Sequence, residues 1–280
     1  MAPSTAAFLN FSPHRMRSYV FRLPLATRLL VGVITCAWIA GIFLTSERIR
    51  EWGQLKPSRI GLSSMHRFNT YPLIHLGVFH ALLNVLALTP LLERFEGENG
   101  TLITLSLFTG PFGLLPGILY VLVERFVLRS DTAIMGASIW VFLLLSCEAI
   151  KTYKANPHFA LGPYKIPTWT SPLILILTIS FLVPGSSLLG HLCGAAIGYL
   201  WALSYLRILA PPDRVLRFIE AKLNLLGRLP HYVSVDQKTY GRYGVLPSTA
   251  VHGSAGVPLG TGAGVAGNGG EAGTEMRRVD

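Results

Sequence analysis

Charged residues are scarce in this chain. They make up 14% of its 280 residues, against roughly 25% in soluble domains, which is too little to clothe a soluble protein of this size. Acidic residues are the scarcer sign, 14 Asp and Glu against 24 Lys and Arg, for a formal net charge of +10. No interleaved basic and aromatic surface and no nucleic-acid motif accompanies that excess. It therefore implies no nucleic-acid partner, and membrane topology and lipid headgroups account for it. Cysteine is nearly absent. Cys36, Cys147 and Cys193 are scattered through apolar runs, so they form neither a disulfide framework nor a zinc site and read as packing residues. Apolar residues are abundant, at 51% with a mean hydropathy of +0.48. They gather in long runs rather than periodic stripes. The chain reads as an all-α polytopic protein embedded in the lipid bilayer.

Six runs, at about 29–45, 71–91, 102–123, 134–150, 169–183 and 187–206, approach the ~20 residues that cross a hydrocarbon core. The fourth and fifth are short and call for shielding by neighbours or a thinner bilayer. The first follows too long a polar stretch and lacks a small-residue cleavage site, so it reads as a retained span rather than a signal peptide. Four regions result: a polar cytosolic arm over 1–24, a six-span membrane domain over 25–207, an amphipathic cytosolic segment over 208–240, and a disordered glycine-rich tail over 241–280. With both termini inside, the inner segments hold most of the Lys and Arg, which gives an N-in/C-in orientation. Gly110, Pro111, Gly113, Pro116 and Gly117 in the third run predict a kink or a packed small-residue face. The stretch 46–70 is too polar to span, and Trp52, Ile60, Leu62 and Met65 suit a loop lying partly in the interface. Beyond the last span, Pro211-Pro212-Asp213 starts a helix that Gly227 stops. Val215, Leu216, Ile219, Leu223 and Leu226 share one of its faces, as in a helix lying on the cytosolic leaflet.

Polar side chains inside the spans are costly and ask for a reason. His75, His80 and Asn84 lie in the second run, Ser138 in the fourth and His191 in the sixth. Each alone has a dull explanation: a serine bonds back to its own helix, and a histidine packs or lines a pore. Their arrangement is more informative. Spans two, four and six run in the same direction, so Ser138 and His191, each about four residues into its span, lie at a shared depth on the order of 6 Å. His80 and Asn84 share a helix face. His191, Gly194 and Gly198 fall along one side of the sixth span, and the small residues let its backbone approach span four. A close approach brings an imidazole within ~3 Å of the Ser138 hydroxyl. Gly136 and Ala137 precede the serine, and a helix start near Ser130, Asp131 or Thr132 would place backbone N–H groups and the positive helix end beside it. Asp131 lies in a loop and Glu148 at the far end of the span, so a Ser–His dyad fits better than a triad. A haem held by His75, His80 and His191 would need ligands on facing helices, usually paired across the bilayer, whereas these three lie toward one side.

The segments His75-Leu-Gly-Val-Phe-His80-Ala-Leu-Leu-Asn84, Gly136-Ala-Ser138 and His191-Leu-Cys-Gly194-Ala-Ala-Ile-Gly198 together resemble the rhomboid family of intramembrane serine proteases, over roughly residues 25–210. The compact fold, the tail and the sequence around Trp140–Ile150 resemble its fungal rhomboid 2 branch, a Golgi or endomembrane type. The resemblance implies a six-span fold, an endopeptidase acting on transmembrane segments of other proteins, and no metal or organic cofactor. It implies Ser138 as nucleophile, His191 as base, His80 and Asn84 as oxyanion donors and His75 as a supporting residue. One position departs from the family pattern: Ile139 stands where glycine usually follows the serine. A β-branched side chain there could narrow the substrate gap or disable catalysis, leaving a pseudoprotease that binds membrane clients. The tail segment Leu259-Gly260-Thr261-Gly262 is a weak match to glycine-rich motifs for a cytosolic ATPase partner, without their leading aromatic.

Overall fold

The computed structural model describes residues 13–43, 46–183 and 185–238. The expectations for the arm before residue 13 and for the glycine-rich tail lie outside the described residues. Among the described residues, the regular elements are helices apart from one antiparallel hairpin, β1 (His158–Leu161) with β2 (Tyr164–Pro167). The helices are α1 (Pro13–Arg22), α2 (Leu25–Phe43), α3 (Ser46–Gly53), a single turn α4 (Arg67–Thr70), α5 (Val78–Asn99), α6 (Thr101–Phe108) and α7 (Pro111–Leu122). After a long connection come α8 (Ser138–Ala155), α9 (Ser171–Leu182), α10 (Leu188–Ala202) and α11 (Asp213–Leu223).

Among the described residues, Leu25–Ile42, Val78–Asn99 and Thr101–Val127 are long and apolar enough to cross a membrane. The pair Leu188–Ala202 and Arg207–Leu223 passes the same test jointly but bends by 88°. The other two expected spans form helices as well. α8 carries Glu148, Lys151 and Lys154 in its last two turns, and α9 belongs to a shorter apolar helix, Thr168–Leu182.

The third run shows both features anticipated for it. It breaks at Gly110, where Pro111 starts the second half. Gly113 and Gly117 receive the 46–70 loop, Phe68 and Tyr71 packing where side chains would otherwise stand. That loop is therefore a packed unit. Arg67 is buried and donates to the carbonyls of Glu51 and Gln54 at 2.6 and 2.8 Å. Its tip stays bare, with Leu62 97% exposed.

α8 and α10 form the central pair, and glycine makes them so. A Cβ on Gly194 would lie 2.3 Å from the Ile139 carbonyl oxygen, and one on Gly198 2.0 Å from that of Leu143. Only hydrogen atoms fit there, so the two backbones touch. Cys147 seals the seam by donating its thiol to the Gly198 carbonyl at 3.3 Å. Cys193 is buried as expected, but Cys36 is exposed on α2 and is not a packing residue. Around this pair lies an aromatic core. Phe95, Phe108, Phe112 and Trp201 meet mostly edge to face, and Trp140 donates its indole N–H to the Phe112 carbonyl at 3.0 Å.

A buried carboxylate organises the opposite end. Glu96, fully buried on α5, accepts the backbone N–H groups of Ala26 and Thr27 at 2.8 and 2.7 Å and the hydroxyls of Thr27 and Thr101. It thus caps the N-terminus of α2, where free N–H groups and the helix dipole favour an anion. The chain after α11 returns to the same place. Val233 exchanges hydrogen bonds with Thr101, and the His231 carbonyl accepts from Leu25.

Two details of the C-terminal segment differ from expectation. α11 ends at Leu223, because Asn224 turns the chain through the left-handed region at φ 48°, ahead of Gly227. Its apolar residues also do not act as one face. Leu216 is buried together with Glu220, whereas Val215, Leu223 and Leu226 are exposed. Glu220 is drawn inward because its carboxylate accepts from the Tyr232 hydroxyl and the Val235 N–H, a partnership formed only when the following chain folds back.

Candidate active site

The approach to Ser138 is non-helical. The main chains of Ile134 and Leu55 pair in an isolated antiparallel bridge, with N–H to carbonyl distances of 2.9 and 3.0 Å. The helix consequently begins at Ser138 itself, with Ala137 in the capping position. This corrects the start expected near Ser130, Asp131 or Thr132 and the depth of four residues assigned to the serine. Those three residues have other partners. Ser130 donates its hydroxyl, and Thr132 its N–H at 3.0 Å, to the buried Glu124 carboxylate. Asp131 accepts from the Ser58 N–H at 2.7 Å and pairs with Lys56 at 3.3 Å. The Ser58 hydrogen bond, assisted by the Lys56 ammonium, holds the Asp131 carboxyl below its ordinary range.

The turn into the helix requires Gly136. Its φ of +113° is one that side-chain-bearing residues rarely adopt, and a Cβ would lie 2.6 Å from the His80 ring. Its N–H donates to the Tyr71 carbonyl at 2.8 Å. The next N–H, that of Ala137, donates to His75 Nε2 at 3.2 Å, while His75 Nδ1 lies 3.2 Å from the Leu73 carbonyl. Both contacts are satisfied by one tautomer, with the proton on Nδ1 and the lone pair on Nε2. His75 therefore grips the peptide immediately before the serine. The N–H groups of Ser138 and Ile139 come before the first helical bond, that of Trp140 to the Ala137 carbonyl, and no hydrogen bond among the described residues consumes them.

His191 lies on the fourth residue of α10, a helix capped by Ser187, whose hydroxyl accepts from the Gly190 N–H at 3.0 Å. Its Nε2 is 3.0 Å from the Ser138 hydroxyl. Nδ1 is buried with no partner among the described residues, and no carboxylate orients the ring. The ring instead stacks at a tilt on Phe142, with centroids 4.5 Å apart. His80 and Asn84 lie against Gly136, and Asn84 donates one amide hydrogen to the His80 carbonyl at 2.9 Å. Its second hydrogen remains available. Ser138, His191, His80, Asn84, His75 and Gly136 thus converge, and Gly194 and Gly198 set the helix contact that brings His191 in.

Ile139 is 3% exposed, and its carbonyl and its side-chain Cγ1 pack against Gly194. Among the described residues, no group of three or more His, Cys, Asp or Glu is disposed to hold a metal ion. Sequence reasoning missed Phe142 and Tyr71. Phe142 stands four residues after Ser138, a spacing that places it on the same helix face. Tyr71 acts through its carbonyl, and no side-chain pattern announces that.

A hydroxyl bonded to a neutral imidazole, with free N–H groups at a helix start beside it, can perform acyl transfer. The Rhomboid domain model matches residues 62–208. The chain belongs to the rhomboid family. Among similar rhomboids, rhomboid-type serine protease B of Aspergillus fumigatus is 58% identical over 259 residues, covering 92% of this chain and 95% of that protein. Rhomboid-type serine protease 2 of Neurospora crassa is 54% identical over 259 residues, covering 92% and 94%. The protein of that name from Saccharomyces cerevisiae is 34% identical over 222 residues, covering 76% and 82%. This rhomboid is therefore a membrane protein of a serine-protease family, similar to the fungal rhomboid 2 proteins.

Proposed function

We propose that this chain is an intramembrane serine endopeptidase that cleaves transmembrane or juxtamembrane segments of other membrane proteins, and that Ser138 and His191 are its catalytic dyad. The observation that carries the reading is the 3.0 Å contact between the Ser138 hydroxyl and His191 Nε2. Ser138 Oγ attacks the scissile carbonyl while His191 Nε2 takes its proton. The oxyanion is met by N–H groups at the start of α8 and by His80 and Asn84. His191 then delivers its proton to the leaving amine, and a water activated by the same nitrogen hydrolyses the acyl-enzyme. Substrates are helices that unwind locally, because a hydrogen-bonded helix hides its carbonyls. The wider reading includes six spans, N-in/C-in orientation, a Golgi or endomembrane location and a role for the tail in recruiting a cytosolic partner.

The client-binding alternative was motivated by Ile139, and the burial of that side chain against Gly194 gives it no support. Covalent labelling by a fluorophosphonate probe tests the dyad without knowledge of the substrate. Labelling of wild type that disappears in Ser138→Ala and falls at least tenfold in His191→Ala is the expected result. A folded wild-type protein that takes no label would overturn it.

A further inference from the structure

We infer that α11 is an in-plane helix that seats on the anionic phospholipid headgroups of the leaflet at the C-terminal end of α10. Three observations place it there.

The first is direction. The segment Arg207–Leu223 turns 88° from the axis of Leu188–Ala202. A helix perpendicular to a spanning helix runs along the membrane surface.

The second is which sides of α11 are occupied. Leu216 and Glu220 face the body of the protein, and Glu220 is held there by Tyr232 and Val235. One edge is bolted to the returning chain by the pairs Arg217–Asp236 and Asp213–Lys238, at 3.1 and 3.0 Å. Counting 100° per residue, Phe218 and Lys222 lie on the side opposite Leu216 and Glu220, and Val215 flanks that side. Val215 and Phe218 are exposed at 47% and 64%, and Leu226 beyond the Asn224 turn is exposed as well. Tyr205 and Ile208, at the bend, add further bare apolar surface. A face clamped so firmly from behind cannot turn inward to hide these groups.

The third is charge. The acidic residues of this region are all engaged: Asp213 and Asp236 in ion pairs and Glu220 in buried hydrogen bonds. Arg207, Arg214, Lys222 and Arg228 have no acidic partner among the described residues. The Lys222 ammonium lies over the Phe218 ring, 5.6 Å from its centroid, so the charge and the bare apolar group share one patch. α1 stands at the same end, since Leu25, just after it, is bonded to His231. It too exposes Val20 and Phe21, with Arg17 over the Phe21 ring at 5.6 Å. Unpaired cations beside bare apolar residues suit a surface that offers phosphate outside and acyl chain within.

The test uses the full chain reconstituted in vesicles and requires no catalysis, so its outcome is independent of the dyad. Phe218→Cys in a Cys36→Ser background carries an environment-sensitive fluorophore, and Val215→Cys provides a second reporter on the same face. Quenching by nitroxide-bearing lipid is compared with quenching by aqueous iodide, in phosphatidylcholine alone and in mixtures with phosphatidylserine. Lipid quenching should dominate at both sites and increase severalfold with phosphatidylserine, each cation adding about fivefold to partitioning at low salt. Replacing Arg214, Lys222 and Arg228 together by Gln should abolish the dependence on phosphatidylserine. Iodide quenching as strong as that of the free dye–cysteine adduct would overturn the inference. So would self-quenching that rises with the protein-to-lipid ratio, which would mean that a second copy covers the face. A phosphatidylserine effect that survives the triple replacement would overturn the assignment to these cations.

Discussion

His75 is the residue whose role the structure sharpens most. It touches neither the nucleophile nor the base, yet it accepts the Ala137 N–H and is itself held by the Leu73 carbonyl. In the proposed mechanism it is a positioning residue for the serine. His75→Ala should slow fluorophosphonate labelling of Ser138 by about tenfold or more, since small displacements of a reacting group are expensive. His75→Gln, which retains an acceptor, should recover part of the rate, whereas a merely space-filling histidine would show no such recovery. Ile139→Gly is expected to behave differently. It empties a site in the α8–α10 seam and should lower stability by about 2–4 kcal/mol, read as a shift in thermal unfolding. Labelling per folded molecule should not improve. The approach of His191 to Ser138 and the packing of both seam glycines are legible in the sequence because these residues sit on regular helices where spacing fixes the face. The start of α8 was not legible. Ile134 pairs with Leu55, some eighty residues away in the chain, and no local signal reports a partner at that distance.

Among the elements, the α8–α10 seam tolerates no side chain at Gly194 or Gly198. Gly198→Ala must push the helices apart at the Leu143 carbonyl and should cost about 1–3 kcal/mol or more. Gly194→Ala, one turn nearer His191, should also lengthen the contact between Ser138 and His191, so that labelling falls faster than stability. The two variants compared by labelling rate and by thermal unfolding separate packing from alignment. The loop between α3 and α5 is tied to the approach to Ser138 partly through Asp131, which accepts from Ser58 and pairs with Lys56. Because the folded pKa of Asp131 is depressed, this tether is complete above the ordinary carboxylate range and is lost as pH falls through the lowered value. Hydrogen exchange at the Ser58 amide, corrected for its intrinsic rate, should show protection that disappears in acid. Asp131→Ala should remove that protection at every pH. The expected single apolar face of α11 failed for a related reason. Helix periodicity places Leu216 with Val215 and Leu223 but does not foresee that Glu220 will be claimed by a chain that returns later.

At the scale of the whole molecule, buried charge falls in separate clusters, one of them Glu124 beside the approach to Ser138. Arg94, Glu98, Glu148 and Lys151 form a linked set between α5 and α8, and Glu96 caps α2 nearby. Glu96→Gln would turn an amide N–H toward donors that now meet a carboxylate oxygen. It should lower stability by about 2 kcal/mol, measurable by thermal unfolding in detergent, while labelling of the remaining folded protein persists. These pairings could be read only in part from the sequence, where the charges are visible but their partners across helices are not.

The separation of 53 residues between Ser138 and His191 also sets an order of events during synthesis. The serine leaves the ribosome well ahead of its partner, and until Leu188–Ala202 has entered the bilayer and slid along the glycine seam its hydroxyl is an ordinary alcohol. In the proposed mechanism, a chain that stalls or is truncated before that point carries Ser138 but not the group that activates it, so biogenesis withholds reactivity from every unfinished copy.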